Sequence, residues 1–408
     1  MSKTSSGSIF GGMLLITGSC IGAGMLALPI LSGLSGFFPS LIMFFCAWAF
    51  MTITALLLIE VNGWFSKKVN LVTMVGKTLG KPGKIVCWVF YLFLFYALLV
   101  AYIAGSGSLL ASILEQHFRI AIPSWGGSLL FVILFGLVVF RGTRPVDLWN
   151  RFLMIFKIAA FLGLVFLGAS HVQMEYLMRS DPQYAVFALP VLVISFGFHN
   201  MIPTITNYMG GNLKKVRHSI ILGGLFALVI YLVWQIIVLG IVPLEGENGI
   251  LNSLKHGEEA SQALSGILGS SWASYFTTLL AFFAILTSFL AQSLSLTHFL
   301  ADGLKVSYKR HEEGALVMLS LIPPLLLAIY FPNIFFKALN FAGGICAVIL
   351  FGILPVLMVW KGRYHQKLKA PWQVKGGRGL LVAIFLFSLF IAFFQLSNMF
   401  NAPYLPKL

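Results

Sequence analysis

Charge is what this sequence has least of, and acidic charge least of all. Of 408 residues only 10% are charged, 27 Lys or Arg against 12 Asp or Glu. Soluble domains carry about 25% charged and about 45–50% apolar residues. Here 59% are hydrophobic and the mean hydropathy is +0.94, which excludes a soluble globule and leaves a polytopic membrane protein. No polar stretch is long enough for a signalling domain, so a receptor is not indicated. The four cysteines, Cys20, Cys46, Cys87 and Cys346, lie in apolar segments without metal-ligand spacing, so no disulfide and no metal centre are expected. His311-Glu312-Glu313-Gly314 is not a zinc-protease motif, and Gly22-x-Gly24-x-x-Ala27 has neither a preceding strand nor a following acidic residue for a dinucleotide. An embedded enzyme finds no acidic or Cys/His cluster to use, and no cofactor is expected. A channel would want a polar stripe or charged ring, and no span has one. The net charge of +15 would suggest nucleic acid for a soluble chain. Here the cations fill short loops between apolar runs, so they report topology instead.

What the sequence has in abundance is apolar runs able to cross about 30 Å of hydrocarbon. They fall at 9–34, 37–62, 85–111, 126–140, 149–170, 185–209, 219–242, 272–300, 315–331, 336–360 and 380–400, which predicts eleven transmembrane helices and an all-α fold. The first is too long for a signal peptide and reads as span 1. With the N-terminus inside, 22 Lys and Arg fall on the inner side and 5 on the outer. Cytoplasmic Lys/Arg excess sets orientation, so the N-terminus is expected in the cytoplasm and the C-terminus outside. The longest outer loop, 243–271, carries Glu245, Glu247, Glu258 and Glu259, and its stretch 258–268 has the pattern of a short surface helix.

Two spans are interrupted at their centres. Span 1 contains Gly18, Gly22, Gly24 and Pro29, and span 6 contains Ser195-Phe196-Gly197-Phe198-His199-Asn200 followed by Pro203. Gly and Pro weaken the helical ladder, and backbone freed at mid-membrane survives only where it is buried in protein or lines a cavity. The breaks lie five spans apart, so residues 1–170 and 184–360 read as two inverted halves, with 380–400 as one extra span. Matching interrupted spans point to a transporter binding site. The alternative for span 1 alone is a small-residue packing face, Gly18-x3-Gly22. Amides opening the second half of a broken helix favour an anion, and carbonyls closing the first half favour a cation. Gly22-Ala23-Gly24 would hold a carboxylate, with polar backbone from Ser19 to Ile21.

GSCIGAGMLALP, ALLLIEV, FYALLVAYIAGSGSLLAS, DLWNRFLMIFK, SFGFHNMIPTITNYMGGN and VKGGRG resemble segments of the bacterial hydroxy and aromatic amino acid permeases, almost end to end. That family sits in the amino acid/polyamine/organocation superfamily. The resemblance implies a LeuT-type 5+5 inverted repeat in the bacterial inner membrane. It also implies proton symport of an aromatic amino acid, tyrosine first. Asn200 stands where some relatives carry glycine, which leaves tyrosine against tryptophan open.

On this reading Ser19, Gly22, Ala23 and Gly24 take the substrate carboxylate, and Phe196 with neighbouring carbonyls takes the ammonium. Phe198, His199 and Asn200 with Tyr96 and Tyr102 form the side-chain pocket, since a phenol needs aromatic walls and one polar partner. Most rings of a chain 14% aromatic simply face lipid or other helices. His199 is either a hydrogen-bonded structural group or a substrate or proton partner. Lys157, eight residues past Trp149 and about 12 Å along the helix, either snorkels to the interface or serves as a desolvated coupling amine. Some superfamily members place a span 5 lysine where sodium-coupled relatives bind a cation, and Lys157 resembles that lysine; the two readings stand level. Thr287 and Ser288 match the sodium-site position of such relatives, so sodium is the alternative coupling ion; ordinary interhelical hydrogen bonding is the plain one. Glu60 either pairs with a basic loop as an inner latch or is an interfacial charge, and Asp147 with Arg151 reads as an i,i+4 pair.

Overall fold

In hydrocarbon every backbone polar group needs a partner within its own segment or a closed sheet, and this chain takes the helical solution. The computed structural model describes residues 7–65, 69–269, 272–305 and 310–400. Lys3, Lys67, Lys68, Lys309 and Lys407 of the charge count lie outside that description, as do the side chains of His311, Glu312 and Glu313. The described residues contain helices and no strand. In chain order they are α1 (Ile9–Cys20), α2 (Gly24–Gly33), α3 (Phe37–Asn62), α4 (Leu71–Leu79), α5 (Lys81–Phe118), α6 (Ser124–Phe140), α7 (Thr143–Gly168), α8 (Met174–Met178) and α9 (Leu189–Ser195). Then follow α10 (Ile202–Tyr208), α11 (Leu213–Ile241), α12 (Ile250–His256), α13 (Ala260–Leu268), α14 (Trp272–Leu304), α15 (Arg310–Tyr330), α16 (Phe335–Phe341), α17 (Leu354–Trp360) and α18 (Gly377–Phe400).

Eight helical stretches are long and apolar enough to span a membrane; α1 and α2 form a further pair bent by 61°, and α6 and Gly314–Tyr330 are shorter apolar helices. The stretch 335–365 lies at the centre, 83% of its apolar window being buried, whereas α7 and α18 are peripheral at 28%. Their outer faces present Ile155, Phe166, Leu386 and Phe393 to the surroundings.

Three elements depart from the sequence expectation. Helix α5 overruns its predicted span at both ends, because its breakers lie outside the apolar run: Gly80 at φ +86 opens it and Arg119, left-handed at φ 56, closes it. The stretch 258–268 does become a helix, but not a surface one. In α13 Ala260, Ser261, Ala263 and Leu264 are buried, and with α12 it packs over α2. Glu259 caps α13 by accepting from the Ser261 amide at 2.7 Å, and burial pushes its carboxyl up to about 7. The third departure is a π-helical segment, Ala342–Ile353, between α16 and α17. Pro355 lacks the amide that would bond one turn back, and a widened turn is one way a helix absorbs that loss. Gly343 lets this segment touch α9, since a Cβ there would fall 1.7 Å from the Pro190 carbonyl oxygen.

Unbroken α11 runs beside broken span 1 like a splint. Thr17 donates to Gly223 O at 3.0 Å, Trp234 Nε1 donates to Met25 O at 3.0 Å, and Gln235 Nε2 donates to Ser32 Oγ. Both sides of the break are thereby tied to one straight helix.

Candidate functional site

Gly22 and Gly24 surround a real break. Ile21 leaves helical geometry at φ −76, ψ 81, the Gly22 amide turns back onto Cys20 O at 2.8 Å, and helix resumes at Gly24. Span 6 breaks alongside it. There α9 ends at Ser195, Phe196 to Phe198 form tight turns, and α10 starts at Ile202 after one 3-10 turn. The breaks approach closely because side chains are missing where they meet their neighbours. A Cβ on Gly24 would lie 2.9 Å from Ser195 Oγ, and one on Gly22 2.6 Å from Ser288 Oγ.

A cavity of about 280 Å³ opens between the two breaks, α5, α7 and α14, near the small end of the range for ligand pockets. Ser19, Gly22, Gly24 and Asn200 line it, as do Tyr102, Lys157, Thr287 and Ser288. Ala23 is buried beside it with its amide donating to Ser288 Oγ at 3.1 Å. Of the three amides expected to greet a carboxylate, those of Gly22 and Ala23 therefore already have internal partners.

Lys157 does not snorkel. Helix α7 is peripheral, yet this side chain is 2% exposed. Its Nζ donates to Ile21 O at 2.6 Å, inside the span 1 break, and to Thr287 Oγ1 at 3.3 Å. A buried ammonium with fixed acceptors satisfies the rule that buried charge must be paired or hydrogen-bonded.

Other sequence candidates lie elsewhere. Tyr96 does not reach the cavity: its hydroxyl donates to Leu319 O at 2.8 Å, on the far side of α5 against α15. Phe196, Phe198 and His199 are buried behind the cavity wall rather than in it. His199 Nε2 pairs with Thr54 Oγ1 at 2.9 Å, and its ring stacks on Phe351 at 4.8 Å and 13°. Phe351 itself faces the cavity. Thus His199 backs the aromatic wall.

The sequence reading missed several groups. Tyr91, Phe95 and Leu98 share the cavity-lining stripe of α5 with Tyr102. Their spacing of 4, 3 and 4 is one helix face, so Tyr102 alone sufficed to find them and to discard Tyr96. Asn150 and Gln292 also line the cavity, and Asn150 Oδ1, Gln292 Oε1 and Ser195 Oγ are buried without a hydrogen-bond partner among the described residues. Buried polar atoms are normally satisfied, so three orphans around one cavity make it the candidate ligand site. Tyr231 of α11, fully buried, reaches both breaks at once. A wider cleft of about 770 Å³ lies by Asn62, Thr206, Lys214 and Arg217 and contains none of the candidate residues. Among the described residues no three His, Cys, Asp or Glu gather as metal ligands.

Glu60 pairs rather than standing alone at an interface. It is fully buried at the end of α3, with Arg363 Nε 2.6 Å from Oε1 and Nη2 2.5 Å from Oε2, and the Val374 amide donates to Oε2 at 2.9 Å. Asp147 and Arg151 form the exposed i,i+4 pair at 2.8 Å.

Comparison with known proteins agrees with this arrangement. Residues 5–395 match the family profile described as "Tryptophan/tyrosine permease family". Tyrosine-specific transport system 1 of Haemophilus influenzae is 34% identical over 403 residues, covering 97% of this chain and 98% of that protein. The tryptophan-specific transport protein of the same organism is 31% identical, covering 95% and 96%. Among solved structures, MhsT in complex with L-phenylalanine superposes with a TM-score of 0.63 over 98% of this chain and 100% of that one, at 13% identity. That likeness speaks for the fold.

Proposed function

The chain belongs to the tryptophan/tyrosine permease family, and on that premise we propose that it imports an aromatic amino acid, tyrosine first, by proton symport with alternating access. It is a transporter and not an enzyme. The eight long apolar helices, the bent pair and the two shorter apolar helices make the eleven crossings of this reading. Residues 1–170 and 184–360 are its inverted halves, as in the LeuT-type repeat, and α18 is the added crossing. The cation split puts the N-terminus in the cytoplasm and the C-terminus in the periplasm of a bacterial inner membrane. The cavity then extends from the breaks toward the cytoplasm, since its lining continues to Leu15, Asn150 and Ser295.

Lys157 carries the choice of coupling ion. Its ammonium already holds Ile21 O and Thr287 Oγ1, oxygens that a sodium ion would need. Proton loss from this amine frees those acceptors and loosens α7 from the break, which is a coupling event without a metal cation. For substrate, the start of α2 suits a carboxylate, with Ser288 yielding the Ala23 amide. The orphan acceptors Asn150, Gln292 and Ser195 suit an ammonium and a phenol or indole donor, and Tyr91, Phe95 and Phe351 supply the ring walls. Tyrosine leads because relatives named for tyrosine transport stand at 34% and 32% identity. Tryptophan remains the second reading, because relatives named for it match at similar coverage.

The test is uptake of labelled tyrosine and tryptophan into proteoliposomes under an imposed proton or sodium gradient. Tyrosine accumulation driven by protons alone is the expected result; accumulation that needs sodium would overturn the lysine-coupled reading. A second expectation concerns packing. Gly22→Ala places a methyl 2.6 Å from Ser288 Oγ and should lower initial uptake about tenfold or more, since misplacing a site by about 1 Å is this costly. Wild-type uptake from equal membrane protein would remove the break from the site.

A further inference from the structure

Both half-helices that end at mid-membrane point their carbonyl ends at one atom. The Tyr231 hydroxyl lies 2.6 Å from Cys20 O, in the last residue of α1, and 2.7 Å from Ser195 O, in the last residue of α9. A helix C-terminus carries about half a negative charge, and two of them meet here in a buried place. Such a place calls for a cation or a strong donor. On the other side of the span 1 break the Ile21 carbonyl has the Lys157 ammonium. On this side the occupant is a neutral hydroxyl, fixed by a ring that packs edge-on against Phe196 at 5.1 Å and Phe44 at 6.4 Å. One O–H has one hydrogen, so it is shared between two acceptors and ties the breaks without adding charge.

We infer that Tyr231 is a positioning residue that fills, with its hydroxyl, the place between the two half-helix carbonyl ends where a small monovalent cation would otherwise sit, so that substrate binding needs no metal cation at that point. This rests on the transport reading above and deepens it. Tyr231 does not itself line the cavity, but its hydroxyl sets the spacing of Cys20 and Ser195, both of which do. The substrate groups that meet the two breaks are therefore held in register by this one oxygen. Sequence alone hides it, because α11 is unbroken and Tyr231 sits in an ordinary apolar run.

The experiment compares wild type and Tyr231→Phe for proton-driven aromatic amino acid uptake in proteoliposomes, in sodium and in choline media, with the thermal midpoint of each protein recorded. The substitution keeps the ring packing and removes one oxygen. In choline the variant should show a KM raised about tenfold, the worth of roughly one hydrogen bond, with its maximal rate within about twofold of wild type. Sodium should bring that KM back toward wild type by occupying the vacated place. An unchanged KM in choline overturns the inference, and so does a raised KM that sodium leaves untouched. Should the variant fail to fold, substrate binding to the wild type decides: equal affinity in sodium and choline is expected, and sodium-dependent wild-type affinity overturns the inference. If wild type transports no aromatic amino acid in either medium, the transport reading fails instead, and the two failures are distinct.

Discussion

With Lys157→Ala, substrate is expected to equilibrate across the membrane but not to accumulate. The ammonium is bound to the break itself, 2.6 Å from Ile21 O, and a hydrogen bond to a charged group contributes about 1.5–3 kcal/mol. Losing it leaves a carbonyl without its donor and removes the only titrating link between α7 and the break that the coupling scheme uses. Counterflow exchange should persist, because the substrate contacts of the two breaks remain. Lys157→Arg separates charge from proton release. A guanidinium keeps the positive charge but does not give up its proton, so this variant should also fail to accumulate substrate. The assay is accumulation ratio and exchange rate in the same proteoliposomes. Full proton-driven accumulation by the alanine variant would take Lys157 out of the mechanism.

The second large effect is expected at the opposite kind of site. Glu60→Ala should destabilise the folded protein by about 3–5 kcal/mol, the usual cost of stranding one member of a buried ion pair. Arg363 is little exposed, with its side chain at 9%, and Glu60 has none. The carboxylate also accepts the Val374 amide, so three groups lose their arrangement at once. Replacing both charges, Glu60→Ala with Arg363→Met, should be less harmful than Glu60→Ala alone, because no unpaired charge is left behind. Exchanging them as Glu60→Arg with Arg363→Glu should not rescue, since an arginine at 60 offers nothing for the Val374 amide to donate to. Thermal midpoints in detergent report all three; a Glu60→Ala protein as stable as wild type would return this pair to an interfacial ornament.

How far the sequence carried the site can be traced through single residues. The breaks at Gly22 and Gly197 were legible because glycine, serine and proline in mid-span violate the hydropathy pattern around them. Lys157 was legible as an oddity, but its two readings differ only in where the amine points, and that is decided by Ile21 O and Thr287 Oγ1 on other helices. Tyr102 was found and Tyr96 was placed beside it, although one residue turns a helix by about 100°; counting back from Tyr102 by 4, 3 and 4 reaches Tyr91. The π-helical segment was not legible. It packs through Gly343 against Pro190, far apart in the chain, and Pro355 just beyond it reads in sequence as an ordinary proline. Burial of α13 was missed for a similar reason, since its polar loop composition says surface while its small residues pack on α2.

The knot at Glu60 bears on the length of the chain that can be dispensed with. Helix α18 looks like a removable addition, since most of its surface faces outward. Yet Val374, in the approach to it, supplies one partner of Glu60. From α18 itself, Ser388 and Gln395 cover the glycine faces of Gly352 and Gly344 on the central segment. A protein truncated ahead of Val374, or one with a domain spliced in there, loses more than a peripheral crossing. It leaves Arg363 and Glu60 incompletely partnered at the end of α3, and where α18 is lost it uncovers the central stretch 335–365. Fusions placed after the last helix leave that closure intact.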